Sequence, residues 1–163
     1  MRSGHSLAFR QFEDVLSDIS IAPLDDKDKD VVGLCKVNNI DPQLAKVPFT
    51  ISWEADSDWE PDDLDAVSAG SCLIVPIPDG DSKGLLLRSK GYAEAEQAIG
   101  SFSFLDDGTF CLNTKYGQSI AEERIWFVSN HVRCRSSVLR TSAGSGVLQT
   151  SFSSEVRKLR VVT

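Results

Sequence analysis

Apolar and polar residues alternate along most of this chain, and turn-forming residues interrupt the alternation about every ten positions. The pattern predicts strands over residues 3–13, 16–24, 49–55, 71–77, 85–90, 100–105, 110–116, 119–128, 132–140 and 147–159. Asp14-Val15 is the predicted turn of the first hairpin, and Asp106-Asp107-Gly108 is a strong turn signal later in the chain. Short links between so many short strands favour an all-β, up-and-down antiparallel barrel of the lipocalin or fatty-acid-binding-protein type, with roughly ten strands.

One segment departs from the strand pattern. The aspartate- and lysine-rich run 25–30 is followed by Val31, Leu34 and Cys35, which are spaced as on one face of a helix. An aspartate of this run can cap the helix, and Asn38-Asn39 can end it. The sequence therefore predicts one short helix between the second and third strands. The acidic stretch from Asp56 to Asp65 is the longest irregular segment.

Composition limits the class of protein. The chain has 163 residues with 41% hydrophobic and 25% charged residues, which fits a single globular domain over 1–163. A formal net charge of −7 argues against nucleic acid as a partner, because phosphate binding needs a basic surface. No apolar run approaches the ~20 residues of a membrane span, and no signal-peptide segment opens the chain, so we expect no membrane insertion.

The composition also argues against several kinds of chemical site. The four cysteines form no CxxC pair, and the two histidines are too few for a dedicated metal site, so we predict no metal and no prosthetic group. The cysteines are expected to be reduced thiols in a cytosol-like compartment. No catalytic Ser-His-Asp pattern or phosphate-binding loop is present in the sequence.

The strand over residues 132–138 carries an unusual row of polar groups. Arg133, Arg135 and Ser137 share one face because side chains alternate along a strand. If the opposite face packs outward, the arginines line a cavity, where guanidinium groups bind carboxylates in bidentate pairs. The alternative is a solvated face on which the arginines pair with Glu122, Glu123 or Glu155.

A few other side chains have the chemistry of a ligand site. Trp53 and Trp59 flank acidic residues and could clamp a flat conjugated ligand, or they could be packing residues. His5 shares a face with two apolar neighbours, so it is either a proton donor to an inner ligand or an ordinary core or rim histidine. Glu122 and Glu123 offer one carboxylate to each face of their strand.

Seven short strings together resemble one known family, the S-type phycobiliprotein lyases CpcS/CpeS. The resemblance runs over nearly the whole chain, and the order and spacing of the strings make it specific. They are Arg2 to Phe9, Trp53 with Trp59, Leu73 to Pro78, Gly91 to Glu94, Ala121 to Phe127, Val132 to Leu139, and Ser151 to Arg157.

The resemblance implies a fold and an activity. The fold would be a lipocalin-like barrel of about ten strands with one helix near an open end. The activity would be binding of a free linear tetrapyrrole (bilin), phycocyanobilin or phycoerythrobilin, as substrate. The bilin would then be attached as a thioether to a cysteine of an apo-phycobiliprotein subunit, in a cyanobacterial-type cytoplasm or a plastid stroma.

Given a bilin, the chemistry of each group suggests a role. Arg133 and Arg135 would bind the propionates, with Arg2 and Ser137 as weaker candidates. Glu123, with Glu122 as a weaker candidate, would accept hydrogen bonds from pyrrole N–H groups and favour a protonated pigment. His5 would act near the reactive ring, and Trp53 and Trp59 would stack on the pigment or close the mouth.

Two departures and three open alternatives accompany the resemblance. A helix that usually precedes the Arg-x-x-His segment is not in this sequence, and Ser6 stands where members often have a second histidine. The open alternatives are a non-catalytic bilin carrier or chaperone, a lipid- or retinoid-binding barrel and, as a separate question of oligomeric state, a homodimer formed through an apolar outer face. An inner face with two arginines, a glutamate and a histidine is too polar for the lipid alternative.

Overall fold

The structure is a computed structural model that describes residues 2–7, 11–55, 69–89, 98–143 and 146–158, with the backbone alone for 2–7, 11–16 and 55. Its strands are β1 (Arg2–Leu7), β2 (Gln11–Pro23), β3 (Phe49–Ala55), β4 (Ala69–Pro78), β5 (Lys83–Arg88), β6 (Ala98–Phe104), β7 (Phe110–Tyr116), β8 (Ser119–Ser129), β9 (Val132–Thr141) and β10 (Val147–Val156). The described helices are α1 (Lys29–Val37) and the 3-10 helix η1 (Pro42–Leu44), both between β2 and β3.

The strands form the predicted closed antiparallel barrel. Each strand pairs with its neighbours in sequence, and β1 also pairs with β10, so the sheet closes on itself. Gly4 illustrates the closure, since it lies opposite Asp14 of β2 and Phe152 of β10. Closure removes the exposed strand edges that an open sheet would present to other chains.

The predicted turn of the first hairpin is wrong. Asp14 and Val15 lie inside β2, where they pair with Gly4 and Ser3 of β1. The connection falls instead between Leu7 and Gln11, outside the described residues. The alternation of polar and apolar residues breaks at Glu13-Asp14, but neither Asp14 nor Val15 favours a left-handed backbone as glycine does, so the break does not force a turn there.

The predicted helix is confirmed, together with both of its caps. The Asp28 side chain accepts a hydrogen bond from the backbone N–H of Asp30 at 2.8 Å, which satisfies one of the first-turn donors. Asn38 caps the other end, and Asn39 follows with a φ of 56°. In the described part of the chain, no helix is long and apolar enough to cross a bilayer.

Two apolar clusters pack on opposite faces of β4 and β5. Leu86 belongs to a cluster with Phe102 and Leu112 inside the barrel, whereas Leu87 packs with Val75 and α1. Adjacent strand residues point to opposite faces, so α1 covers the outer wall. The resemblance implied a helix near an open end, and the structure packs this helix against the side of the barrel. The barrel interior is therefore left to residues of the strands.

Candidate functional site

The arginine row predicted from the sequence lies on the inner face of the barrel. Ser137 pairs in register with Glu123 of β8, and Arg135 pairs with Ile125. Glu123 is buried, while the next residue, Arg124, is exposed. Cross-strand partners share a face, so Arg135 and Ser137 point inward with Glu123. The row does not face bulk solvent, but its two arginines pair with Glu155 and Glu123 as the alternative interpretation expected.

Arg133, at the start of β9, forms an ion pair with Glu155 of β10. The two residues are direct register partners, and Arg133 Nε donates to Glu155 Oε2. The other carboxylate oxygen, Oε1, is buried and has no hydrogen-bond partner among the described residues. Buried acceptors normally have a partner, so Oε1 is an unsatisfied acceptor among the described residues.

Glu123 lies between two further guanidinium groups. Arg88 of β5 donates from Nη2 to Glu123 Oε2 at 2.8 Å, and both side chains are only 5% exposed. On the other side, Arg135 Nη1 lies 3.8 Å from Glu123 Oε1, which is an ion pair but too long for a hydrogen bond. One carboxylate oxygen is thus held tightly, and the other faces the arginine row of β9.

Two hydroxyl groups come from β7, the strand next to the one that carries Glu123. Tyr116 Oη is 3.5 Å from Arg88 Nη1. Thr114 is almost fully buried, and its Oγ1 has no hydrogen-bond partner within the described part of the chain. The register places Thr114 opposite Gly100 and Ala121, which leaves the inner face next to it with little side-chain bulk.

We call Arg88, Glu123, Arg133, Arg135 and Glu155 the inner cluster. Its three guanidinium groups face two carboxylates, which leaves one net positive charge. Moving charges out of water costs free energy, and apolar side chains of similar volume often stabilise a core as well or better. Stability alone therefore explains the inner cluster poorly. An inner surface with excess positive charge suits a ligand that carries carboxylates.

A cavity of about 580 Å³ opens at one end of the barrel, beside the turn between β8 and β9. Its lining includes Arg133 and Glu155 of the inner cluster, together with Ile19, Phe127 and His131. The volume lies within the roughly 300–1,000 Å³ of small-molecule pockets. The rest of the inner cluster is not part of this lining and lies further along the inner face. The cavity therefore reaches the cluster from one side.

The rim of this cavity carries an exposed ion pair. Lys158 Nζ donates to the two carboxylate oxygens of Asp18 at 2.6 and 2.7 Å. This hydrogen bond and the charge of Lys158 lower the pKa of Asp18 from its usual value. Water and salt screen such a pair, so its contribution to stability is small.

Trp53 lies on the inner face of β3, next to a glycine that gives it room. Its register partners are Ile19 of β2 and Gly70 of β4. A Cβ atom at Gly70 would lie 2.5 Å from Trp53 Cζ2, so the indole packs directly on the Gly70 backbone. The side chain is half-buried. It is therefore neither a fully buried core residue nor an isolated surface residue, and one part of the indole is accessible.

The remaining predicted residues are only partly placed by the structure. His5 lies in β1 opposite Glu13 and Ser151, and Arg2 lies opposite Leu16 and Ser154, but the side chains of both are outside the described residues. Trp59 falls in 56–68 and the predicted acidic loop falls there too, also outside the described residues. The roles suggested for His5, Arg2 and Trp59 stay predictions.

The sequence reasoning missed three residues that the structure brings to the site. Arg88 ends an apolar strand. It lies two residues after Leu86 and therefore on the same strand face, which was the one pattern that could have predicted its inward position. Tyr116 and His131 carried no signal beyond their polarity. Among the described residues, no group of three or more His, Cys, Asp or Glu side chains is placed to bind a metal ion.

A closed antiparallel meander whose interior holds paired charges, beside a half-buried indole and an open cavity, defines a lipocalin-like ligand-binding barrel. The family model for CpeS-like protein matches residues 1–158. The chain belongs to the CpeS-like family.

Three relatives illustrate this membership. "Chromophore lyase CpcS/CpeS 3" of Trichodesmium erythraeum is 48% identical over 158 residues, which are 96% of this chain and 90% of the relative. "Putative phycoerythrobilin lyase CpeS" of Microchaete diplosiphon is 46% identical over 144 residues, which are 86% of this chain and 63% of the relative. A solved S-type phycobiliprotein lyase CPES from Guillardia theta superposes with a TM-score of 0.80 at 37% identity, covering 98% of this chain and 86% of that one.

Proposed function

We propose that this protein is a bilin lyase. It would bind a free linear tetrapyrrole, phycocyanobilin or phycoerythrobilin, inside the barrel and promote its thioether attachment to a cysteine of an apo-phycobiliprotein subunit. The relatives named as chromophore or phycoerythrobilin lyases support the activity. The observation that carries the proposal for this chain is the inner cluster, which combines excess positive charge with buried carboxylates.

The two kinds of charged group in the cluster suit two parts of the pigment. Propionate carboxylates are matched by the guanidinium groups of Arg133 and Arg135, which lie two residues apart on one strand face. Pyrrole N–H groups need acceptors, and Glu155 Oε1 and the oxygen of Glu123 that faces Arg135 are candidates. Carboxylates close to the pyrrole nitrogens would stabilise a protonated, more electrophilic pigment. Ser137 lies on the same inner face and could add a hydrogen bond.

The chemical step would be an addition that the acceptor protein itself supplies. Its cysteine sulfur forms a bond to the ethylidene group of the pigment, the carbon–carbon double bond becomes single, and the thiol proton ends on the pigment. No group leaves, and no oxidant is needed. The barrel would contribute position: one pigment conformation, one exposed face and one reachable carbon. Trp53 and Trp59 would restrict the rings by stacking.

Titration of purified protein with phycocyanobilin and with phycoerythrobilin tests the binding role of Arg135. Arg135→Ala removes an inner guanidinium, whereas Arg124→Ala removes an exposed one on β8 and is the matched control. A charged hydrogen bond contributes about 1.5–3 kcal/mol, so we expect about a 10- to 100-fold loss of affinity for Arg135→Ala and little change for Arg124→Ala. Equal affinities of the two variants would remove Arg135 from the pigment site.

A second experiment separates a lyase from a carrier. The protein is coexpressed with bilin-producing enzymes and candidate apo-subunits, and denatured products are examined for zinc-induced fluorescence. A lyase gives a covalent fluorescent subunit whose yield falls for Glu123→Gln, while a carrier binds bilin but adds no yield over the subunit alone. A fatty-acid probe that displaces bilin would favour the lipid-binding alternative instead.

A further inference from the structure

Arg88 is a buried arginine to which none of the roles above is assigned. It ends β5, whereas Glu123 lies on β8, and β6 and β7 separate these two strands in the barrel. The Arg88–Glu123 pair therefore spans the barrel interior and does not join neighbouring strands. Such a contact fixes the Glu123 carboxylate from a side that the arginine row of β9 does not reach.

Small residues on the intervening strands give Arg88 the space to reach Glu123. Arg88 pairs with Ala98 of β6, and Gly100 follows two residues later on the same face. A Cβ at Gly100 would lie 2.7 Å from Leu112 Cδ1 and 2.8 Å from Thr114 Oγ1, so a larger residue there would displace these side chains. The apolar cluster of Leu86 and its neighbours fills the adjacent part of the interior. The interior thus has an apolar part and a part kept open for this charge pair.

The two carboxylate oxygens of Glu123 face different arginines. Oε2 accepts from Arg88 at 2.8 Å, and Oε1 lies 3.8 Å from Arg135. Without Arg88, the carboxylate would be buried with one long ion pair, and it would turn toward Arg135. The oxygen that faces the interior would then change its position.

We propose that Arg88 is a positioning residue, which holds the Glu123 carboxylate charged and in place and thereby determines the protonation and affinity of the bound tetrapyrrole. This inference rests on the proposed function, because its readout is a bound bilin. Arg88 need not touch the pigment. Its effect passes through Glu123, so it should disappear when Glu123 no longer carries a charge.

A double-mutant cycle tests the inference. Wild type, Arg88→Met, Arg88→Lys, Glu123→Gln and the double variant are titrated with the same bilin, and the visible band of each complex is recorded. Arg88→Met should shift or weaken the band in the same direction as Glu123→Gln and lower affinity at least about fivefold, since contacting residues couple strongly. Arg88→Lys keeps a positive charge and should fall between wild type and Arg88→Met.

In the Glu123→Gln background, adding Arg88→Met should change affinity less than about twofold, because the coupled interaction is already gone. Arg124→Met is the control for loss of an arginine and should behave as wild type. If Arg88→Met does not fold, the comparison uses Arg88→Lys and the double variant instead. The double variant has no unpaired Glu123 carboxylate in the interior.

Three results decide between the hypotheses. A folded Arg88→Met or Arg88→Lys with the wild-type band and affinity overturns the positioning role. So does full additivity of the Arg88→Met and Glu123→Gln effects. Absence of bilin binding by the wild-type protein overturns the proposed function itself, and this outcome is visible before any variant is compared.

Discussion

Gly70→Ala tests whether the Trp53 indole rests on the backbone of β4. The added Cβ would lie 2.5 Å from Cζ2, 2.9 Å from Cε2 and 3.1 Å from Cη2 of Trp53. Carbon atoms in contact are normally about 3.5–4.0 Å apart, so the ring has to move. The ring is rigid and sits on a paired strand, so the movement cannot be taken up by a flexible side-chain end.

The expected magnitude follows from overpacking. Adding a methyl group to a packed site costs about 1–3 kcal/mol, which lowers the melting temperature of a domain of this size by about 2–12 °C. Gly33→Ala is the matched control, because Gly33 lies inside α1 and a Cβ there meets no atom within 4 Å. Alanine is favoured over glycine in a helix by about 0.5–1 kcal/mol, so Gly33→Ala should raise the melting temperature slightly.

Thermal denaturation followed by circular dichroism gives the two shifts. Tryptophan emission reports the ring itself, in a background where Trp59 and Trp126 are phenylalanine. We expect Gly70→Ala to change the Trp53 emission and, under the proposed function, to lower bilin affinity. A Gly70→Ala protein that is as stable as wild type and has unchanged Trp53 emission would show that the indole does not lie on this strand.

Two further predictions concern packing on the outer wall and thiol reactivity. Leu87→Ala should lower the free energy of unfolding by about 2–5 kcal/mol, because Leu87 is fully buried beneath α1. Leu85→Ala, at a site that is 40% exposed, should lower it much less. Urea denaturation measures both losses, and equal losses would refute the packing described. Burial raises the pKa of the Cys35 thiol, with a smaller contribution from a nearby carboxylate, and Cys134 is the least buried of the four cysteines. Because the thiolate is the reactive form, native protein at neutral pH should be alkylated first at Cys134 and last at Cys35. Peptide mass spectrometry gives the order of labelling, and early labelling of Cys35 would contradict its burial.

Local patterns in the sequence were sufficient for the elements of the fold. The helix capped by Asp28 and the strand 110–116 follow from periodicity and capping, which act over a few residues. The Asp106-Asp107-Gly108 turn is confirmed as well, with Gly108 at a φ of 82° that glycine adopts readily. The first hairpin shows the limit of such patterns, since the break in alternation at Glu13-Asp14 lies inside β2 and not at the end of a strand.

The site depended on information that no local pattern holds. Alternation shows that Arg133 and Arg135 share a face, but it leaves open whether that face points inward or to solvent. Only the register of β8 with β9, which aligns the arginine row with the buried Glu123, decides the question. The role of Arg88 is even harder to predict from local sequence, because Arg88 follows three leucines and resembles an ordinary charged residue at the end of a strand. Its pairing with a residue 35 positions later exists because the curved sheet brings β5 and β8, which β6 and β7 separate, around one interior. The sequence by itself thus determined the helix, the family and most strand boundaries, whereas the register and curvature of the sheet determined which charges meet.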